Sequence, residues 1–332
     1  MIQKRQFNVP RLLISRCLEF DAVRYDGTMI KSPFVKRLKP FVDAIPICPE
    51  VEIGLGIPRE TIRLVRVKEE DRMIQPATGR DLTDAMRRFS RKFLDQVPPL
   101  DGFILKNRSP TSALKDAFVY PSSEKSSPLG KAPGIFTREI LLRYPHHPME
   151  DEGRLRNHRI RDHFLTCIYT LADFRKVREK GTFSDLIRFH TQNKLLLLGH
   201  HQALLSQMGQ LVAHAHHSPN EVIIQYEEFL LLAMENAPRT STNINMLLHA
   251  FGHVSHSLSG AEKAFFLDVI AQYRSGQVSL AVPKNLLKAW IVRFDEESLR
   301  EQTFFAPYPD PLMEPEAWED EQKRDYWRKA MG

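Results

Sequence analysis

The sequence predicts an α/β N-terminal half with a mainly parallel sheet, followed by an all-helical C-terminal half. Three observations carry this. Up to about residue 120, short apolar runs of β type alternate with amphipathic helical segments, the pattern of a parallel sheet covered on both faces. From residue 153 onward, apolar residues recur at three- and four-residue spacing with hardly a strand pattern between them. All thirteen histidines lie at or beyond His146, a break in composition that marks two units meeting in the region between.

Strands are expected at Arg11–Ser15, 44–47, 61–67, 102–106 and Ala117–Tyr120, where β-branched and aromatic residues cluster between turn formers. Helical spacing covers 34–42 and 81–96, the second through Leu82, Met86, Phe89 and Phe93. The stretch 121–134 is rich in Ser, Pro, Gly and Lys and reads as a loop. The domains are therefore expected at 1–120 and 153–332, with a linker over 121–152. Six to eight helices are expected in the second, with starts at Ser218-Pro219-Asn220-Glu221 and at Ser259-Gly260-Ala261-Glu262, the latter in capping-box form.

With 332 residues, 42% of them hydrophobic, the chain can bury two cores. Three cysteines exclude a disulfide framework and fit a reducing compartment. The N-terminus has no signal-peptide apolar core and no apolar run approaches a membrane span, so a cytoplasmic location and no membrane partner are expected. A net charge of +6 permits an anionic partner such as RNA without requiring one.

The chemistry concentrates just past three of the expected strands. Cys17 follows the first, Cys48 the second, and Ser109-Pro110-Thr111-Ser112 the fourth. Residues past the carboxyl ends of parallel strands line the ligand crevice. Thiolates gathered there are the ligands of iron–sulfur clusters, and three protein ligands leave one iron open. The spacing matches no local cluster motif, and by spacing alone Cys17 and Cys48 read equally well as small buried hydrophobes. Cys167 lies in an amphipathic segment and reads as core.

Arg16-Cys17-Leu18 with Val23-Arg24-Tyr25-Asp26-Gly27, Pro46-Ile47-Cys48-Pro49-Glu50 leading into Gly54-Leu55-Gly56-Ile57-Pro58-Arg59, and Leu105-Lys106-Asn107-Arg108-Ser109-Pro110 resemble the motifs of the thiouracil desulfidase family over residues 11–120. The resemblance implies a 4Fe-4S cluster held by three cysteines, with an open iron that takes the thiocarbonyl sulfur of a thiolated pyrimidine. It places Cys17, Cys48 and Ser112 at the three ligand positions. The third is a departure, because a serine hydroxyl stays protonated near neutral pH and is a poor soft-metal ligand. Cluster binding is expected to be weakened or absent. The resemblance further implies Glu50 as general acid/base, and Ser109 as hydrogen-bond donor to the base or the leaving sulfide. Lys106 and Arg108 would neutralise the growing anion, and Arg24, Tyr25 and Asp26 would form a substrate loop.

Phe189-His190-Thr191-Gln192-Asn193-Lys194, Asn243-Ile244-Asn245-Met246-Leu247-Leu248-His249 and Pro307-Tyr308-Pro309 resemble the YbgA-type domain. The fused arrangement resembles the tRNA 4-thiouridine desulfidases, which implies tRNA as partner and substrate. Arg154, Arg156, Arg159, Arg161, Lys194 and Arg239 are the candidate phosphate contacts, since basic side chains position RNA through its backbone. Two other readings stand beside this one: a cluster-less RNA-binding module, and a desulfidase of free thiouracil-type bases. His214, His216 and His217 cluster, and His249 and His253 are four apart, but without a His-Glu-x-x-His pattern or a third ligand they do not read as a metal site.

Overall fold

A computed structural model describes residues 5–124, 126–213 and 218–313, so His214, His216 and His217 lie outside the described residues. The elements of the first half are β1 (Arg11–Ser15), α1 (Pro33–Leu38), β2 (Asp43–Ile47), α2 (Pro49–Glu52), β3 (Arg63–Val67), β4 (Glu70–Gln75), β5 (Arg80–Asp81), α3 (Thr83–Gln96), β6 (Gly102–Leu105), β7 (Ala117–Tyr120), β8 (Gly130–Ala132), α4 (Ile135–Arg143) and β9 (Met149–Asp151).

Four of these strands form a parallel sheet in the order β2-β1-β6-β9. Leu12 pairs with both Ala44 and Gly102, and Ile104 pairs with Glu150. Leu12, Leu13, Ile14, Phe103, Ile104 and Leu105 are buried on both faces, which explains why β1 and β6 read as unbroken apolar runs. The chain leaves β1 toward β2 on one side and returns with β6 on the other. A topological switch point therefore falls beside β1, at the carboxyl ends of the strands.

A second sheet, β5-β4-β3-β7-β8, is mixed, with β3 and β7 parallel and the other pairs antiparallel. Sequence reading found β3 and β7 but not the polar strand β4, whose charged Glu70, Asp71 and Arg72 hide its alternation. The stretch 121–152 is not a plain linker. It contains β8, α4 and β9, and β9 completes the parallel sheet.

The second half comprises α5 (His158–Lys180), α6 (Phe183–His200), α7 (Gln202–Ala213), α8 (Pro219–Met234), α9 (Thr240–Val254), α10 (Gly260–Arg274), α11 (Ala281–Phe294) and α12 (Glu297–Arg300). Asn157 caps α5 by accepting from the Ile160 amide, and Gly181 ends it in the left-handed conformation at φ 66°. The expected box at α10 is present, with Ser259 and Glu262 each bonded to the other's backbone N–H.

The two halves are joined by α5, whose faces serve different cores. Phe164, Leu165, Ile168 and Tyr169 pack with Leu12, Ile14 and Ile104 of the parallel sheet. Cys167, Leu171, Phe174 and Val177 pack with α6, α8 and α9. Gly102 in β6 makes this approach possible, because a Cβ there would lie 2.8 Å from the Ile168 side chain. The chain's return brings Tyr308 and Leu312 into the same sheet-side core. Among the described residues, no helix is long and apolar enough to cross a membrane.

Candidate functional site

Because the sheet is parallel, the segments that follow β1, β2, β6 and β9 all leave from one end of it. They carry, in turn, Cys17, then Cys48 with Glu50, then residues 106–112, and finally Glu152.

Cys17 sits in the turn after β1, where its carbonyl accepts from the Ile30 amide at 2.8 Å. Cys48 is the residue before α2 and receives the Glu52 amide on its own carbonyl. Its thiol lies 3.3 Å from Glu50 Oε2 and 3.7 Å from the Val23 carbonyl. Both thiols are buried. Burial, then the nearby Glu50 charge and the Cys48 thiol, push Cys17 up to about 12 against the partial relief given by Lys106. Cys48 is pushed up to about 11, first by burial and then by Glu50. The mutual influence of Cys17, Cys48 and Glu50 places them within electrostatic reach of one another. Cations stand close by: Lys106 Nζ pairs with Glu152, and Arg59 lies against Cys48 and Glu50.

The loop after β6 is built around Ser109. Its hydroxyl oxygen accepts the amides of Thr111 and Ser112, both at 3.1 Å. With its oxygen so engaged, the hydroxyl hydrogen is what it has left to offer a ligand. Arg108, exposed, takes the left-handed conformation at φ 57° and gives its amide to Asp116. The loop is stapled to α4 by backbone bonds from Gly134, Ile135 and Phe136 to Ala113, Pro110 and Thr111. Ser112 is 4% exposed, and among the described residues no hydrogen bond joins it to either thiol.

In the expected substrate loop, Arg24 is committed locally, donating to Thr28 and pairing with Asp26 at 3.2 Å. Thr28 also bonds Asp26 and holds its carboxyl below the usual range. Tyr25 is 44% exposed, the open ring of this turn.

The basic residues expected to meet phosphate stand in different surroundings. Arg161 is 8% exposed, gives Nη1 to the Leu155 carbonyl and lies over the Phe34 ring. It braces the junction of the halves, with little of its side chain left open to solvent. Arg154 is held by a two-pronged pair with Glu150. Arg156, Arg159, Lys194 and Arg239 are exposed. Among the described residues, no hydrogen bond or ion pair joins these four to the thiols or to Glu50.

Arg59 and Glu152 were missed by sequence reading. Arg59 carries a signal in the glycine- and proline-rich Gly54–Arg59 run, but turn formers do not tell what its arginine touches. Glu152 carried none, since it fell in the expected linker.

The donor set fits an iron–sulfur cluster only in part. Cys17 and Cys48 offer two thiols that release their protons once a metal compensates the charge. Ser112 offers a neutral hydroxyl in the loop where a third thiolate is needed. Among the described residues, no three His, Cys, Asp or Glu side chains are grouped to hold a metal ion.

Residues 12–152 match the family model of 2-thiouracil desulfurase, and residues 194–309 match a family described as a protein of unknown function, DUF1722. The chain is 25% identical over 154 residues to the uncharacterized protein YbgA of Escherichia coli (strain K12), covering 46% of this chain and 91% of that one. It is 28% identical over 116 residues to the uncharacterized protein YbbK of Bacillus subtilis (strain 168), covering 33% and 76%. Among solved structures it resembles a [4Fe-4S]-dependent thiouracil desulfidase, TudS, at 26% identity and a TM-score of 0.36, over 44% of this chain and 93% of that chain.

Proposed function

We propose that this chain is built as a desulfidase that exchanges the thiocarbonyl sulfur of a thiolated pyrimidine for oxygen, with a free thiouracil-type base as substrate. The observation that carries this reading is the gathering of Cys17, Cys48, Glu50 and Lys106 at the carboxyl ends of parallel strands, within a region that matches the 2-thiouracil desulfurase family.

In net terms, one water is consumed and the sulfur leaves as hydrogen sulfide. A water must lose a proton as it adds to the ring carbon, and the departing sulfur must be stabilised as an anion. Glu50, on the wall of the crevice, is the group to take that proton. The Ser109 hydroxyl hydrogen is free to donate to the sulfur, and Lys106 supplies a cation on the same side. Tyr25, exposed on its turn, is the ring available to stack on a pyrimidine. An iron–sulfur cluster with an open iron would supply a sulfur acceptor. Cys17 and Cys48 would be two of its ligands, but the neutral hydroxyl of Ser112 does not complete the set.

A thiolated uridine within tRNA is the second reading, favoured by the exposed Arg156, Arg159, Lys194 and Arg239 of the helical half. The test is loss of thiocarbonyl absorbance with 2-thiouracil, 4-thiouracil or thiolated tRNA. It uses the chain and its Ser112→Cys variant after anaerobic incubation with iron and sulfide. Turnover of the free bases is expected. Turnover of tRNA alone transfers the assignment to the second reading, and no turnover of any substrate by either protein overturns both.

A further inference from the structure

The loop that follows α2 delivers one buried cation to the site. The Arg59 side chain is 6% exposed. Its Nη1 donates to the Val23 carbonyl at 2.9 Å and to the Gly56 carbonyl at 3.3 Å. Its Nη2 lies 3.7 Å from Cys48 Sγ and 4.0 Å from Glu50 Oε2. Its backbone amide donates to the Tyr25 carbonyl at 2.8 Å. One residue thus holds the Val23–Tyr25 backbone at two points and faces the thiol and the carboxylate with the other end of the same planar group.

We propose that Arg59 is a positioning residue: a clamp that sets the 23–27 turn and the Glu50 carboxylate in register over Cys48. The kinetic part of this inference rests on the desulfidase reading. The clamp itself rests on the contacts above.

Fork geometry is what the position requires. A guanidinium presents donors in fixed directions and reaches the Val23 carbonyl and the Glu50–Cys48 pair together, whereas an ammonium is a single point that satisfies one side at a time. Beside Arg59, the buried Val23 side chain and the Cys48 thiol, 3.7 Å from the Val23 carbonyl, hold the start of the turn. Its remaining bonds, Gly27 amide to Arg24 carbonyl, Arg24 amide to Thr28 carbonyl, and Arg24 and Thr28 to Asp26, lie within the turn itself. Without the Arg59 side chain the turn keeps its shape and its Val23 anchor but loses the guanidinium that ties it to Glu50 and Cys48, and Glu50 loses the cation that aims it.

The test uses full-length Arg59→Lys and Arg59→Ala proteins. In the cluster-free state, amide exchange is followed by mass spectrometry over peptides spanning 18–31. Exchange about tenfold faster at 23–28 is expected for Arg59→Ala and an intermediate rate for Arg59→Lys, with α6 and α9 unchanged. Unchanged exchange at 23–28 in a folded variant overturns the clamp, and if Arg59→Ala does not fold, Arg59→Lys decides. In the Ser112→Cys background, Arg59→Lys is expected to raise KM for the thiolated base and lower kcat. In a Glu50→Gln background it is expected to lower kcat little further, because it acts through Glu50. Additive losses in kcat overturn the action through Glu50. A parent without turnover overturns the desulfidase reading instead, and the clamp is then judged on exchange.

Discussion

Gly134 and Thr111 meet backbone to backbone: a Cβ on Gly134 would press on the Thr111 carbonyl and lie 2.7 Å from the Ser112 amide nitrogen. This contact seats the loop carrying Ser109 and Ser112 on the first turn of α4, where the amides of Ile135 and Phe136 donate to the carbonyls of Pro110 and Thr111. Gly134 has an ordinary φ of −66°, so the glycine is there for space and not for conformation. Gly134→Ala must push backbone against backbone, and a loss of about 2–3 kcal/mol is expected. Denaturant titration measures it. A loss within a few tenths of a kcal/mol would mean that the loop yields freely and is not held by α4.

The serine at position 112 leads to a second expectation. Ser112→Cys changes one atom in a buried loop, adds a soft donor after β6 at the same end of the sheet as Cys17 and Cys48, and is expected to leave stability nearly unchanged. After anaerobic reconstitution, the variant is expected to hold about four irons per chain and the parent well under half of that. Equal iron in both proteins would show that the hydroxyl, or a group supplied by solvent, completes the set. Iron in neither would remove the cluster from the desulfidase reading.

Two histidines, His147 ahead of β9 and His200 at the end of α6, make the fold acid-sensitive. Burial lowers His147 to about 4, with His146 adding to the effect, and burial likewise lowers His200 to about 4, with His163 adding its share. In each a buried ring nitrogen has no hydrogen-bond partner: Nδ1 of His147 and Nε2 of His200. The folded chain keeps them neutral while the unfolded chain protonates them near the ordinary value of 6.5. Their contribution is therefore full above that value and is lost as the pH falls through it toward 4. The loss reaches roughly 2 kcal/mol per histidine by about pH 4.5. Stability curves at pH 7 and near 4.5 measure it, and His147→Phe is expected to flatten the slope by about one histidine's share. An unchanged slope in that variant would place the acid sensitivity elsewhere.

What was legible in the sequence follows from how each signal is encoded. Strands β1, β2, β6 and β7 and helix α3 announce themselves through apolar runs and spacing, because each buries enough surface for composition to show it. The thiols were found because they follow such strands. Strand β4 stayed hidden because Arg72 and its partners Glu70, Asp81 and Asp84 form a charged network along it. The stretch 121–152 looked like a linker because its Ser, Pro and Gly content is real, yet β9 needs only three residues to add an edge to a sheet that exists already. The Gly54–Arg59 run marks Arg59 but not its role, which comes from a fold that brings Val23, Cys48 and Glu50 to one guanidinium.

The double duty of α5 carries the last prediction. Ile168 is fully buried against Leu12, Ile14 and Ile104, while Phe174 and Val177, turned away from it around the helix, are buried among α6, α8 and α9. A helix that is apolar on both faces ties two cores into one cooperative unit, which is also why its periodicity could not reveal that it covers the sheet. Ile168→Ala is expected to cost about 2–5 kcal/mol, and Ile187→Ala, at an exposed position, to stay within about 0.5 kcal/mol. If the cores are coupled, Ile168→Ala accelerates amide exchange in β6 and in α8 together. If only β6 exchanges faster, the halves open independently, and the fused chain is two folding units that share a helix without sharing stability.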